Sequence, residues 1–279
     1  MSERDGYQPG VPCWVDTWQP DPEAAVGFYT ELFGWEAEDT MPPDSPGHYF
    51  MCKLRGREVA AIGSERGGGV PSMPAWGTYI WVESADDTVA KVTGAGGSVL
   101  MQPFDLLEAA RVAVLSDPAG AVFGVWQAGE HRGAQLVNEP GAWAMSQLNT
   151  RDPDGAKAFY GAVFGWTTQE FGESDDGIAL WRLPGYEGGE LEQPVSREVV
   201  ATMAPMGERF PADLAPHWSV NFWVGDTDAI AEKSAELGGK VVVSPHDTPA
   251  FRDSVLADPQ GAVFSVSQLI AGDHDTLGS

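Results

Sequence analysis

The chain has 279 residues, 43% of them hydrophobic, with eleven Trp, twelve Phe and six Tyr. Sixteen basic against forty-one acidic residues leave a net charge of −25. That field repels nucleic acid and anionic membranes, which removes both from the expected partners. No apolar run approaches the roughly 18 residues of a membrane span and the N-terminus lacks a signal-peptide core, so a cytoplasmic location is expected. Two cysteines, Cys13 and Cys52, are too few for a disulfide framework and are expected reduced and buried.

The first predicted element is a strand, PCWVDTW from Pro12. A well-punctuated helix, DPEAAVGFYTELFG, follows. Asp21 caps its first turn, Pro22 takes the first helical position, and Gly34 ends it. Ala25, Phe28, Tyr29, Leu32 and Phe33 fall on one face at helical spacing, as core packing against a sheet requires. Three strands come next: WEAEDT, HYFMCKL and REVAAIG. A glycine-rich connector, SERGGGVPSMP from Ser64, leads on; its GGG run precedes no helix, so it is no phosphate loop. The order then returns as GTYIWVE, a helix near Asp86 to Gly94, SVLMQPF, ARVAVLS and AVFGVWQ. DPAG at Asp117 reads as a tight turn with a capping carboxylate.

After a polar linker the whole pattern repeats. FYTELFGW at Phe28 is answered by FYGAVFGW at Phe159. DPAGAVFGVWQ at Asp117 is answered by DPQGAVFSVSQ at Asp258, identical at eight of eleven positions. REVAAIG from Arg57 matches REVVATM from Arg197, and GTYIWV from Gly77 matches SVNFWV from Ser219. A repeat this long is a duplicated domain rather than a solenoid. The predicted architecture is α+β: four βαβββ modules forming two cup-shaped domains at residues 1–128 and 141–270, with a linker at 129–140 and a tail at 271–279. Whether modules pair within or across copies is left open, as is the choice between monomer and homodimer.

These features resemble the vicinal-oxygen-chelate superfamily, the glyoxalase, bleomycin-resistance and extradiol-dioxygenase group. The carriers are the capped FYxxxFGW helix, the four modules and the DPxGAxF ending, from about Pro12 to Gln268. More narrowly, the chain resembles duplicated actinobacterial glyoxalase-like proteins that carry a hydroxylase label. The resemblance implies that two modules close a cup. It also implies that metal-dependent members hold a divalent Lewis acid on His or Glu from first and last strands. At the matching positions this chain has Trp14, Tyr79 and Gly124 in one copy, and Met145, Asn221 and Ser265 in the other. No cofactor and no divalent metal are therefore expected. His48 and Cys52 share a strand face but form only a pair, without a counterpart in copy two.

Period-two alternation assigns the cup linings. Copy one receives an aromatic box of Trp14, Trp18, Tyr79, Trp81 and Trp126 around a single acid, Asp16. Copy two receives Gln147, Asn149, Asn221 and Ser265 around Trp223. The facing of Tyr49 and Trp181 is open. Glu58 and Glu198 read as ion-pair or edge-strand charges. The expected partner is a small hydrophobic or aromatic molecule, bound without metal and best suited to the aromatic cup. The alternative is an enzyme of oxygenase-like, isomerase or lyase type that uses Asp16 as acid or base.

Overall fold

A strand–helix–three-strand order runs four times along the chain. The computed structural model describes residues 3–64, 74–170, 177–188, 196–208, 210–248 and 250–270. Its first module comprises β1 (Pro12–Gln19), α1 (Pro22–Phe33), β2 (Glu36–Asp39), β3 (Tyr49–Leu54) and β4 (Arg57–Ser64). The second comprises β5 (Ala75–Trp81), α2 (Ala85–Gly94), β6 (Ser98–Leu106), β7 (Ala110–Ser116) and β8 (Val122–Ala128). Copy two repeats this with β9 (Trp143–Thr150), α3 (Pro153–Phe164), β10 (Thr167–Glu170), β11 (Ala179–Arg182) and β12 (Val199–Pro205). It finishes with β13 (His217–Trp223), α4 (Thr227–Glu236), β14 (Lys240–Asp247), β15 (Phe251–Ala257) and β16 (Val263–Leu269). The GGG run and the tail at residues 271–279 lie outside the described residues.

The punctuation works as the residues dictate. Asp21 and Asp152 accept the backbone N–H of Ala24 and Gly155 at 3.0 and 2.9 Å. Gly34 and Gly165 close the same helices in the left-handed region, at φ of 75° and 74°, which suits glycine. Each copy is one eight-stranded sheet, ordered β2-β3-β4-β1-β5-β8-β7-β6 and β10-β11-β12-β9-β13-β16-β15-β14. The joins β1–β5 and β9–β13 are antiparallel, so modules pair within a copy. Edge strands β6 and β14 carry Pro103 and Pro245 among register shifts, which blunts them against edge pairing.

The helical faces of the two sheets meet back to back. Thr78 of β5 and Ser146 of β9 share a hydroxyl hydrogen bond at 2.8 Å. The α1 aromatics reach past their own sheet, Phe33 lying 4.9 Å from Phe222 of β13. The repeated motifs grip each other across the copies. Trp76 Nε1 donates to the Tyr29 hydroxyl (3.0 Å), which donates to Asp258 of the other copy (3.0 Å). In mirror image, Trp218 donates to Tyr160 (2.9 Å), which donates to Asp117 (3.2 Å). The second carboxylate oxygen caps its own turn, Asp117 taking the N–H of Ala119 and Ala121 and Asp258 those of Gln260 and Ala262. The Trp of each FGW also crosses over: Trp35 donates to the Gly141 carbonyl at 2.7 Å and Trp166 to that of Gly10 at 2.8 Å.

One alignment in the sequence needs correcting. Ala61 stands beside Asp16 and Thr202 beside Gln147, so β4 matches β12 one residue out of the Arg57–Arg197 register. Glu58, opposite Lys53, thus corresponds to Val199, opposite Arg182. Both strands are interior, which rules out edge-strand charge. Glu198 instead forms an ion pair with Arg182, and Glu58 faces His131.

Candidate functional site

Strand register sets three positions side by side in each cup: Trp14, Tyr79 and Gly124 in copy one, Met145, Asn221 and Ser265 in copy two. In copy one this row is packed solid. Trp14 is fully buried, its indole N–H donating to the Tyr49 hydroxyl at 3.1 Å. Tyr79 lies over Gly124 so closely that a Cβ there would stand 2.1 Å from the ring. Trp126 completes the stack, with centroids 6.3 Å from Trp14 and 5.7 Å from Tyr79. Tyr49 faces inward, and its hydroxyl meets Asp16 at 3.3 Å. Burial and then the Asp16 carboxylate push that phenol well above its ordinary range. Asp16 is only 2% exposed. Trp18 and Trp81 keep partial exposure, Trp18 against Tyr49 and Trp81 beneath the Arg132 guanidinium at 5.8 Å.

The segment between the copies completes the packing of cup one. Ala134 and Gln135 donate backbone bonds to Cys13 and Glu58 at 2.8 and 2.7 Å, and Ala134, Leu136 and Val137 are buried. His131 enters the cup edge-on to Trp14, 4.4 Å between centroids, and 5.2 Å from Trp126. Its Nδ1 accepts the Gly133 N–H at 3.3 Å, and its Nε2 lies 3.2 Å from the Glu58 carboxylate, off the axis of a straight hydrogen bond. A cavity of about 810 Å³ remains at this end, lined by Arg57, Glu58, Leu107, His131 and Arg132 among others. Its wall is charged, unlike the apolar lining of most small-molecule pockets.

The imidazole contact holds the Glu58 carboxyl below its usual range, against the opposing effect of burial. A depressed folded-state pKa contributes stability above the unfolded value, near 4.3, that is lost as pH falls through the lowered one. Wild type is therefore expected to exceed Glu58→Gln in stability by on the order of 1 kcal/mol at neutral pH. The gap should close on acidification below about pH 4. Urea melts at a series of pH values check this, and a gap independent of pH refutes it.

Cup two has the same framework and a different floor. Gln147 donates to Asn149 at 3.0 Å and accepts from Thr202 at 3.2 Å. Asn149 donates to Ser219 at 3.1 Å and makes a long 3.4 Å contact with His217 Nε2. Asn221 donates to Ser265 and Ser267 at 3.1 and 2.7 Å, and Ser267 donates to Asp253 at 2.6 Å. Trp223 meets Phe251 edge-on at 6.5 Å. Met145, Gln147, Ser219, Asn221, Trp223, Ser265 and Ser267 are all half-buried; only Asn149 is deeply buried. Trp181 points the other way, fully buried against Tyr160 and Trp166 behind the sheet.

His217 is the residue sequence reasoning passed over. It reads as flanking a strand, yet it opens β13 opposite Asn149. Counting back two from Ser219 places it on the cup face. The His48–Cys52 pair does not form a site. His48 is an exposed partner of Asp39 at 2.6 Å, whereas Cys52 is wholly buried. Burial pushes the Cys52 thiol up to about 12, so the two do not converge on one ion.

Two family models cover most of the chain. The glyoxalase/bleomycin resistance protein/dioxygenase superfamily matches residues 14–125, and a glyoxalase-like domain matches 144–267. A relative from Mycobacterium tuberculosis, "Putative glyoxylase CFP32", is 41% identical over 95% of this chain and 97% of its own. The chain belongs to the glyoxalase/bleomycin resistance protein/dioxygenase superfamily. A second relative, the "Anthracycline biosynthesis protein DauV" of Streptomyces sp., is 36% identical over 94% of each chain. Among solved structures, a Mn(II)-bound glyoxalase from Novosphingobium aromaticivorans superposes with a TM-score of 0.60 at 16% identity, covering 97% of this chain and 86% of its own. The 2,3-dioxygenase LapB from Pseudomonas sp. KL28 does so at 0.60 and 14%, covering 94% and 93%. Those likenesses concern the fold.

The superfamily's metal does not fit the residues present. Trp, Tyr and Gly in one row and Met, Asn and Ser in the other lack the imidazole and carboxylate donors a divalent ion needs. In cup one the Tyr79 ring also fills the space above Gly124 where a ligand side chain would project. Among the described residues no three His, Cys, Asp or Glu side chains come together as a metal cluster.

Proposed function

We propose that this superfamily member binds one planar aromatic molecule per chain, without metal, in the cup of its second copy. One contrast carries the reading. The floor of cup one is occupied by its own Trp14, Tyr79 and Trp126 and by His131, whereas the floor of cup two keeps polar side chains half-exposed beside Trp223. An apolar face with a few placed polar groups is what orients a small ligand. Two relatives named for anthracycline biosynthesis, 35–36% identical over nearly their whole length, support a flat polycyclic molecule as the ligand class. The aromatic cup favoured from sequence thus becomes a core, and the polar cup becomes the site. An enzymic reading through Asp16 loses support because that carboxylate is buried beneath Trp14 and Tyr49.

The test is isothermal titration with 2,6-dihydroxyanthraquinone, in the presence and absence of EDTA. Binding of one molecule per chain, indifferent to EDTA, is the expected result. Two molecules per chain, or binding that EDTA abolishes, would overturn the proposal.

A further inference from the structure

The polar end of cup two has a directional chemistry. His217 Nδ1 lies 2.9 Å from the Ala215 carbonyl, which fixes the proton on that nitrogen in the neutral ring. Nε2 is then an acceptor, turned toward Asn149 and the cup. The Asn149 amide donates well to Ser219 at 3.1 Å, but its contact with His217 is stretched to 3.4 Å, beyond the usual range for N–H donors. Asn149 itself is held by Gln147, which Thr202 holds in turn. The donor and the acceptor are therefore both fixed and poorly satisfied by each other. In copy one the place of Asn149 is taken by Trp18, paired with Ala75 where Asn149 pairs with His217. The pair belongs to copy two alone.

We infer that His217 and Asn149 together form a hydroxyl-recognition site at the end of the second cup, and that the ligand is a hydroxylated planar aromatic. This rests on the second cup being the ligand site. A hydroxyl satisfies both partners through a single atom, since it donates one hydrogen bond and accepts others. It donates a hydrogen bond to His217 Nε2 and accepts one from Asn149 Nδ2. A carbonyl or ether oxygen lacks the donor and leaves the histidine unserved. An ammonium lacks the acceptor and leaves the amide unserved.

Strand pitch sets the reach of such a ligand. His217, Ser219, Asn221 and Trp223 follow one another along the cup face of β13. At about 3.3 Å per residue, His217 and Asn221 stand about 13 Å apart, about the length of three or four fused rings. A ligand hydroxyl at His217 thus puts the far end of a polycycle near the Asn221, Ser265 and Ser267 cluster, where the Trp223 indole, two residues farther along the same face, lies within reach of it.

The experiment compares 2,6-dihydroxyanthraquinone with its dimethyl ether, 2,6-dimethoxyanthraquinone, on wild type, His217→Ala and His217→Gln by titration calorimetry. Wild type is expected to favour the dihydroxy probe by about tenfold, the ratio a single neutral hydrogen bond supports. His217→Ala removes that preference while retaining the affinity for the dimethoxy probe. His217→Gln, which keeps an acceptor, restores part of the preference. An equal preference in wild type and His217→Ala overturns the hydroxyl assignment, as does equal affinity of wild type for both probes. Either result leaves the second cup standing as the ligand site. If neither probe binds wild type, the second cup falls as well.

Discussion

Replacing Asp258 by alanine is expected to destabilise the whole chain by about 3 kcal/mol, because the substitution strands several buried groups at once. One carboxylate oxygen accepts the N–H of Gln260 and Ala262, each at 2.9 Å. The other accepts the Tyr29 hydroxyl at 3.0 Å and the Gln19 amide at 2.7 Å, both from copy one. Tyr29 and Gln19 are fully buried, so no water replaces the lost acceptor. Among the described residues Asp117 has Tyr160 alone in the corresponding cross-copy role, and burial pushes its carboxyl above the usual range. Asp117→Ala is accordingly expected to cost less than Asp258→Ala, the poorly compensated charge being lost along with the bonds. Urea unfolding followed by circular dichroism measures both. A single transition shifted to lower denaturant is expected, since the aspartates couple the copies. Two separated transitions in wild type, or a loss below about 1 kcal/mol for Asp258→Ala, would show that the copies stand independently.

The scaffold was legible because its signals are local. A capping Asp, a Pro at the first helical position and a Gly in the left-handed region determine where α1 and α3 begin and end, and period-two alternation assigns the faces of β1, β5 and β9. The same local reading found the turn-capping role of Asp117 and Asp258. Their second oxygen, bound to a tyrosine of the other copy, was invisible because nothing in a sequence states how two domains dock. Tyr49 and Trp181 illustrate the same limit. Strand pairing decides which face each meets, Tyr49 standing opposite Gly63 and so in line with Trp18, and Trp181 opposite Ala201, and the residues do not announce that register. The candidate site was half legible: alternation listed the residues of both cups but could not tell a lining from a plug. Whether an inward tryptophan greets a ligand or packs against its neighbours depends on what crosses the cup. Here that is His131, from a segment whose composition reads as a simple tether.

The two cups should respond oppositely to loss of a tryptophan. Trp14→Ala removes a fully buried indole from between Trp126, His131 and Tyr49, and is expected to cost about 3–5 kcal/mol. Trp223 is half-exposed, with Phe251 edge-on at 6.5 Å as its ring contact. Its loss should change stability by about 1 kcal/mol or less yet weaken 2,6-dihydroxyanthraquinone by on the order of tenfold, the scale of one aromatic contact. Calorimetric unfolding and probe titration, run on both variants, separate the effects. A Trp14→Ala protein that melts like wild type would mean that cup one is a yielding pocket after all. A stable Trp223→Ala protein with undiminished affinity would remove the ring from the site. The division is physically reasonable for a duplicated domain. The shared FYxxxFGW and DPxG residues clamp the copies together through reciprocal tyrosine–aspartate bonds, and the clamp needs nothing from either cup. One cup could therefore be filled with aromatics while the other retained Gln147, Asn149, Ser219 and His217. Duplication made the scaffold twofold; under the proposed reading, the side chains that differ between the copies decide which cup takes a ligand.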